Sequence, residues 1–108
     1  VAAHCYMFSP KIEMAEVEAS LLLSVWAVES LHGESRVRLE SRCQVDDDQR
    51  TVTIDAGSDV GRDLNRIFVG FLHREFSPMM FEVRPVAGDD VSGLAWKSIP
   101  ELEPQSAF

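Results

Sequence analysis

Apolar residues recur along this chain in two rhythms, period two over short runs and a helical period over longer ones, and they predict the elements in order. His4 to Phe8 (His-Cys-Tyr-Met-Phe) is apolar on both alternating sets, the mark of a central strand covered on two sides. Ser9 is expected as an N-cap with Pro10 at the first helical position, followed by a helix to about His32 that ends at Gly33. Ser35 to Val45 alternates, with Val37, Leu39, Ser41, Cys43 and Val45 against Arg36, Arg38, Glu40, Arg42 and Gln44, which predicts a half-exposed strand. The polar turn Asp46–Gln49 then returns the chain through Arg50 to Ala56, with Val52 and Ile54 on one side and Thr51 and Thr53 on the other. Gly57-Ser58-Asp59 caps a second helix with an apolar stripe of Val60, Leu64, Ile67, Phe68 and Phe71. Ser77-Pro78 stops it, and Phe81 to Val86 supplies a last strand.

This order, βαββαβ, predicts an α+β sandwich of ferredoxin-like topology: a four-stranded antiparallel sheet in the order 4-1-3-2, with two helices on one face. Residues 1–86 form the single domain of this reading. Residues 87–108 are an irregular tail, expected to dock back through Leu94, Trp96 and Ile99.

Two surfaces look unfinished. The first helix carries two apolar stripes: Met14, Val17, Leu21, Val25 and Val28, and then Ala15, Ala19, Leu22, Leu23 and Trp26, roughly 120–140° away. One stripe meets the sheet. The other is covered either by the second helix and the tail or by a second copy of the chain, with Leu22 and Trp26 at the contact. The second surface is the open sheet face. If Asp46–Gln49 is a four-residue loop, Val45 pairs with Arg50, which sets Cys43 opposite Val52, Ser41 opposite Ile54, Arg42 opposite Thr53 and Glu40 opposite Asp55. Like charges facing each other call for a cation or a shared proton, so Arg38, Glu40, Arg42, Asp55 and Arg84 are read either as an ordinary salt-bridge network or as a candidate polar ligand platform or metal site. The same register leaves residues 35–38 overhanging the third strand, where Arg36 and Val37 form a candidate strand-to-strand interface.

Composition narrows the function classes. Eighteen acidic against ten basic residues give a formal net charge of −8, a field that repels phosphate backbones and anionic lipid headgroups. An RNA-binding sheet of this topology would show stacking aromatics on its central strands, but the third strand has none and the first offers only Tyr6. The longest apolar stretch, Leu21 to Val28, is too short to span a bilayer. Residues 1–10 lack the pattern of a signal peptide, and an opening Val1 suits a trimmed chain or a piece of a longer one. Cys5 and Cys43, on strands that are not neighbours, read as thiols of a reducing, cytoplasmic compartment.

No chemistry-bearing constellation stands out. His4, His32 and His73 fall on three separate elements and show no zinc-ligand spacing, and Asp46-Asp47-Asp48 lacks the spaced ligands and distal Glu of a calcium loop. Gly57 and Gly61 flank a helix start without a phosphate-loop lysine, and Asp59 and Asp63 would repel an anion there. The expectation is therefore a non-enzymatic binding or assembly module that needs no cofactor and no metal. Its partner is a second copy or another protein, not nucleic acid or membrane. The alternative is a small-molecule sensor or small enzyme using the open sheet face.

Overall fold

The computed structural model describes residues 2–88; the expected docking of Leu94, Trp96 and Ile99 lies outside them. The elements run β1 (Ala3–Phe8), α1 (Met14–His32), α2 (Glu34–Glu40), β2 (Cys43–Asp46), β3 (Thr51–Asp55), α3 (Asp59–Glu75), a 3-10 turn (Pro78–Met80) and β4 (Phe81–Val86). Together they make an α+β fold with a four-stranded antiparallel sheet and three helices. The strand order is β2-β3-β1-β4, which from the opposite edge reads β4-β1-β3-β2.

Strand register sorts the side chains. His4, Tyr6 and Phe8 share a face with Ile54 and Val52 of β3 and with Phe81, Val83 and Pro85 of β4. On this side Tyr6, Phe8, Val52 and Ile54 join Val17, Leu21, Val25 and Val28 of α1 and Leu64, Phe68 and Leu72 of α3 in one buried cluster. The Tyr6 and Phe68 rings meet edge to face at 4.8 Å, a favoured aromatic geometry. Tyr6 also donates its hydroxyl proton to Asn65 Oδ1 at 2.6 Å, and Asn65 Nδ2 donates to the carbonyls of Gly61 (2.8 Å) and Asp55 (3.2 Å). A buried polar pair is thereby satisfied and ties β1, β3 and α3 together.

The structure corrects the sequence reading at three places. Residues 34–40 are helical, not the first half of a strand, so there are three helices and β2 is only four residues long. The segment Glu-Ser-Arg-Val-Arg-Leu-Glu contains two i,i+4 ion pairs, Glu34–Arg38 at 3.0 Å and Arg36–Glu40 at 2.6 Å, which support a helix and have no use in a strand. Gly33, at φ +88°, adopts a backbone conformation few side chains tolerate and lets α1 pass directly into α2. The second correction is register: Cys43 pairs with Ile54, Val45 with Val52 and Asp46 with Thr51. The slip from the expected pairing is two residues, so Cys43 keeps its core face, but Glu40 no longer opposes Asp55. The cause lies at Arg50, which sits at φ +58° inside the turn and donates from its guanidinium to the carbonyls of Ser9 (2.8 Å) and Ile12. The third correction is the start of α1. Ser9 accepts the Lys11 N–H in a turn (3.2 Å), and the helix begins only at Met14.

β4 is an outer strand. Ser9 N–H donates to the Met80 carbonyl at 2.8 Å, and alternation from that pair turns the peptide groups of Val83 and Pro85 toward the free edge. Pro85 thus stands where its missing N–H costs no ladder bond.

Candidate functional site

Among the described residues, helix α1 carries an apolar stripe outside the buried core. Met14, Val17, Leu21, Val25 and Val28 are buried, as are Ser20 and Ser24, the latter donating to the Ser20 carbonyl at 2.8 Å. The far side of the same helix carries Ala15, Ala19, Leu22, Leu23 and Trp26. Ala15 and Ala19 are exposed, Leu22 is half-buried, and Leu23 and Trp26 are each 47% exposed. Leu64, Phe68 and Leu72 of α3 join the buried cluster with the first stripe, and the tail expected to help α3 cover the second stripe lies outside the described residues. Glu16 and Glu18, both exposed, lie at its margins.

The proposed ligand platform is not assembled as one group. Arg38 and Glu40 lie on α2, where they pair with Glu34 and Arg36. Arg42 follows α2 as an exposed residue whose carbonyl accepts the Asp55 N–H at 2.9 Å. Asp55 ends β3 and accepts the Gly57 N–H on Oδ1 at 3.2 Å. Arg84 shares the open face with Asp55 but is two strands away, 3.4 Å from Glu82. The open face also carries Ala3, Cys5 and Met7 of β1, Thr51 and Thr53 of β3, Gln44 and Asp46 of β2, and Val86 of β4. Of the strand-overhang residues, Arg36 is exposed on α2, whereas Val37 is fully buried in the core and has no surface to offer a partner. Leu39, expected inside, is 82% exposed.

A polar cluster at the junction of α1, α2 and α3 had no signal in the sequence beyond His32 at a helix end. His32 Nε2 lies 2.7 Å from Asp63, and Arg36 bridges His32 Nδ1 (3.3 Å) and Glu40. Arg36 is also 3.8 Å from Asp59, and its guanidinium is held in the charged form above its ordinary range, first by the hydrogen bond to Glu40. The cluster closes the α1–α2 corner and faces no cavity among those found in the described residues.

Three shallow grooves mark the surface, of about 200, 260 and 220 Å³, each below the size that encloses a drug-sized molecule. The third, lined by His4, Tyr6, Asn65, Arg66, Val69 and Val83, is mainly apolar. Among the described residues no group of three or more His, Cys, Asp or Glu is placed to hold a metal ion, and no helix is long and apolar enough to cross a membrane. Cys5 and Cys43 are not bridged; β3 runs between their strands, and their side chains lie on opposite faces of the sheet. No family model, curated protein or solved structure matches the chain.

Proposed function

We propose that this chain is a ferredoxin-like domain working as a non-enzymatic binding or assembly module, and that it does so as a homodimer. The topological half of the proposal is supported by the strand order β2-β3-β1-β4, with every neighbouring pair antiparallel; α2 is then an addition between the first helix and the second strand. The observation that carries the functional half is the outer face of α1. A helix apolar on both sides is built to be covered on both sides, and here Leu23 and Trp26 stand nearly half exposed opposite a finished core. Exposed apolar patches of this kind mark interaction surfaces. The same reading assigns the protein to a reducing compartment, the cytoplasm, which suits two unbridged thiols. A ligand platform on the open sheet face is the weaker reading, because Arg38 and Glu40 belong to a helix and are engaged with their own neighbours.

Sedimentation equilibrium or light scattering behind size exclusion tests the proposal. The mean mass is expected to rise from 12.1 kDa toward twice that value across the micromolar range. A mass that stays at 12.1 kDa throughout overturns it.

A further inference from the structure

We propose that the chain beyond Gly88 folds back into the groove between α3 and β4, on the helix side of the sheet, with Trp96 as its apolar anchor. This contact lies within one chain and is independent of the homodimer reading above.

The groove exists because α3 leaves part of β4 bare. Phe81, Val83 and Pro85 are the β4 residues on the helix side, yet Val83 is 37% exposed and Pro85 is exposed as well. Across from them stand Asn65, Arg66 and Val69 of α3, with His4 and Tyr6 of β1 between. The lining is mainly apolar, and a volume of about 220 Å³ has room for one or two side chains but not for a drug-sized molecule. Among the described lining residues Arg66 brings the only formal charge; its side chain is 79% exposed and touches only Asp63, at 3.6 Å.

The course of the chain selects the occupant. Ala2 continues β1 beside β3, its carbonyl accepting the Ala56 N–H at 2.8 Å, so its methyl group lies on the same side of the sheet as His4. A Cβ placed on Gly88 would come 4.0 Å from that methyl group. The chain therefore leaves β4 over the helix side, away from the open sheet face. His4, the nearest groove residue on β1, is two residues along the strand from Ala2, about 7 Å. Leu94 and Trp96 follow Gly88 by six and eight residues, and six residues span up to about 20 Å. Charge agrees with this course. Residues 89–108 hold Asp89, Asp90, Glu101 and Glu103 against Lys97, a net −3, and the first two follow Gly88 directly, on the side where Arg66 rims the groove.

Fluorescence of the full chain tests this contact. Trp26→Phe leaves Trp96 as the sole indole and serves as the parent. Its emission is expected to lie to the blue of the urea-unfolded chain and to stay unchanged on dilution. Val83→Glu puts a charge into the groove and is expected to move that emission to the red and raise acrylamide quenching, while circular dichroism shows the fold retained. Arg66→Glu, at an exposed position, is a second probe that sets a like charge against Asp89 and Asp90; it is expected to shift the emission in the same direction. Leu23→Glu, on the outer face of α1, is expected to leave it unmoved. A parent emission that matches the unfolded chain overturns the proposal. So does a red shift caused by Leu23→Glu and not by the groove variants, which would seat Trp96 on α1. Emission that reddens on dilution also overturns it, because a second copy would then supply the occupant. The mass in solution decides the homodimer separately, so either reading can fail alone.

Discussion

At Gly61 the first turn of α3 passes against the end of β3. A methyl group there would meet the Asp55 carbonyl oxygen well inside van der Waals contact, and that oxygen belongs to the backbone and cannot swing aside. Gly61 N–H meanwhile donates to Ser58 Oγ at 3.0 Å, so the same residue also anchors the helix cap. Gly61→Ala should therefore destabilise the domain by about 1–3 kcal/mol despite the better helix propensity of alanine, seen as a lower midpoint in urea. Tyr6, the only tyrosine, offers a second test at this scale. Burial pushes its phenol above the ordinary value, so the folded state holds the proton that the unfolded chain releases near pH 10. Below that pH the contribution to stability is complete; above it the unfolded state binds fewer protons than the folded one, and stability falls as pH rises. Tyr6→Phe should lose the Asn65 hydrogen bond but also lose this alkaline slope. A mutant whose melting temperature declines above pH 10 as steeply as the wild type would show that other groups cause it.

Among the elements, α2 separates a helix from a strand by simple substitutions. In a strand facing the core, Val37 and Leu39 would be equivalent; on α2 Val37 is fully buried and Leu39 is 82% exposed. Leu39→Lys should change stability by no more than about 0.5 kcal/mol, whereas Val37→Ala should cost about 2 kcal/mol through the cavity it leaves. Comparable losses at both positions in chemical denaturation would contradict the helix. The same segment shows why some of the fold was legible in the sequence and some was not. α1 and α3 are long, and Met14 to Val28 and Val60 to Phe68 repeat their apolar positions often enough to fix both helices and their buried faces. Residues 34–40 carry a period-two alternation and two i,i+4 charge pairs at once, and over seven residues the two signals cannot be ranked without knowing that Gly33 turns the chain. The pairing of β2 with β3 depended on Arg50, whose reach to the Ser9 and Ile12 carbonyls is a tertiary contact with no local trace. The polar platform fell with those two, because it needed residues 38 and 40 on the sheet. The apolar character of the α1 stripe needed no such contact to be read, because helical periodicity alone defines it.

For the whole molecule, charge and apolar surface pull in opposite directions. Each chain carries a formal −8, and Glu16 and Glu18 border the face proposed to associate. Two copies therefore repel at long range while gaining from apolar burial at short range. Raising salt from 0.05 to 0.5 M shortens the screening length to a few ångströms, and self-association should tighten severalfold, read as a lower dissociation constant in sedimentation. Weakening with salt would indicate an interface held by ion pairs. Pro85 bears on what happens when such chains are crowded. Its ring removes one outward N–H from an edge strand, and an edge with fewer donors is a poorer template for a neighbouring strand. Pro85→Thr should leave the monomer folded yet raise thioflavin-positive aggregation at high concentration. One imino acid would then guard one edge of a sheet whose other edge, β2, is only four residues long.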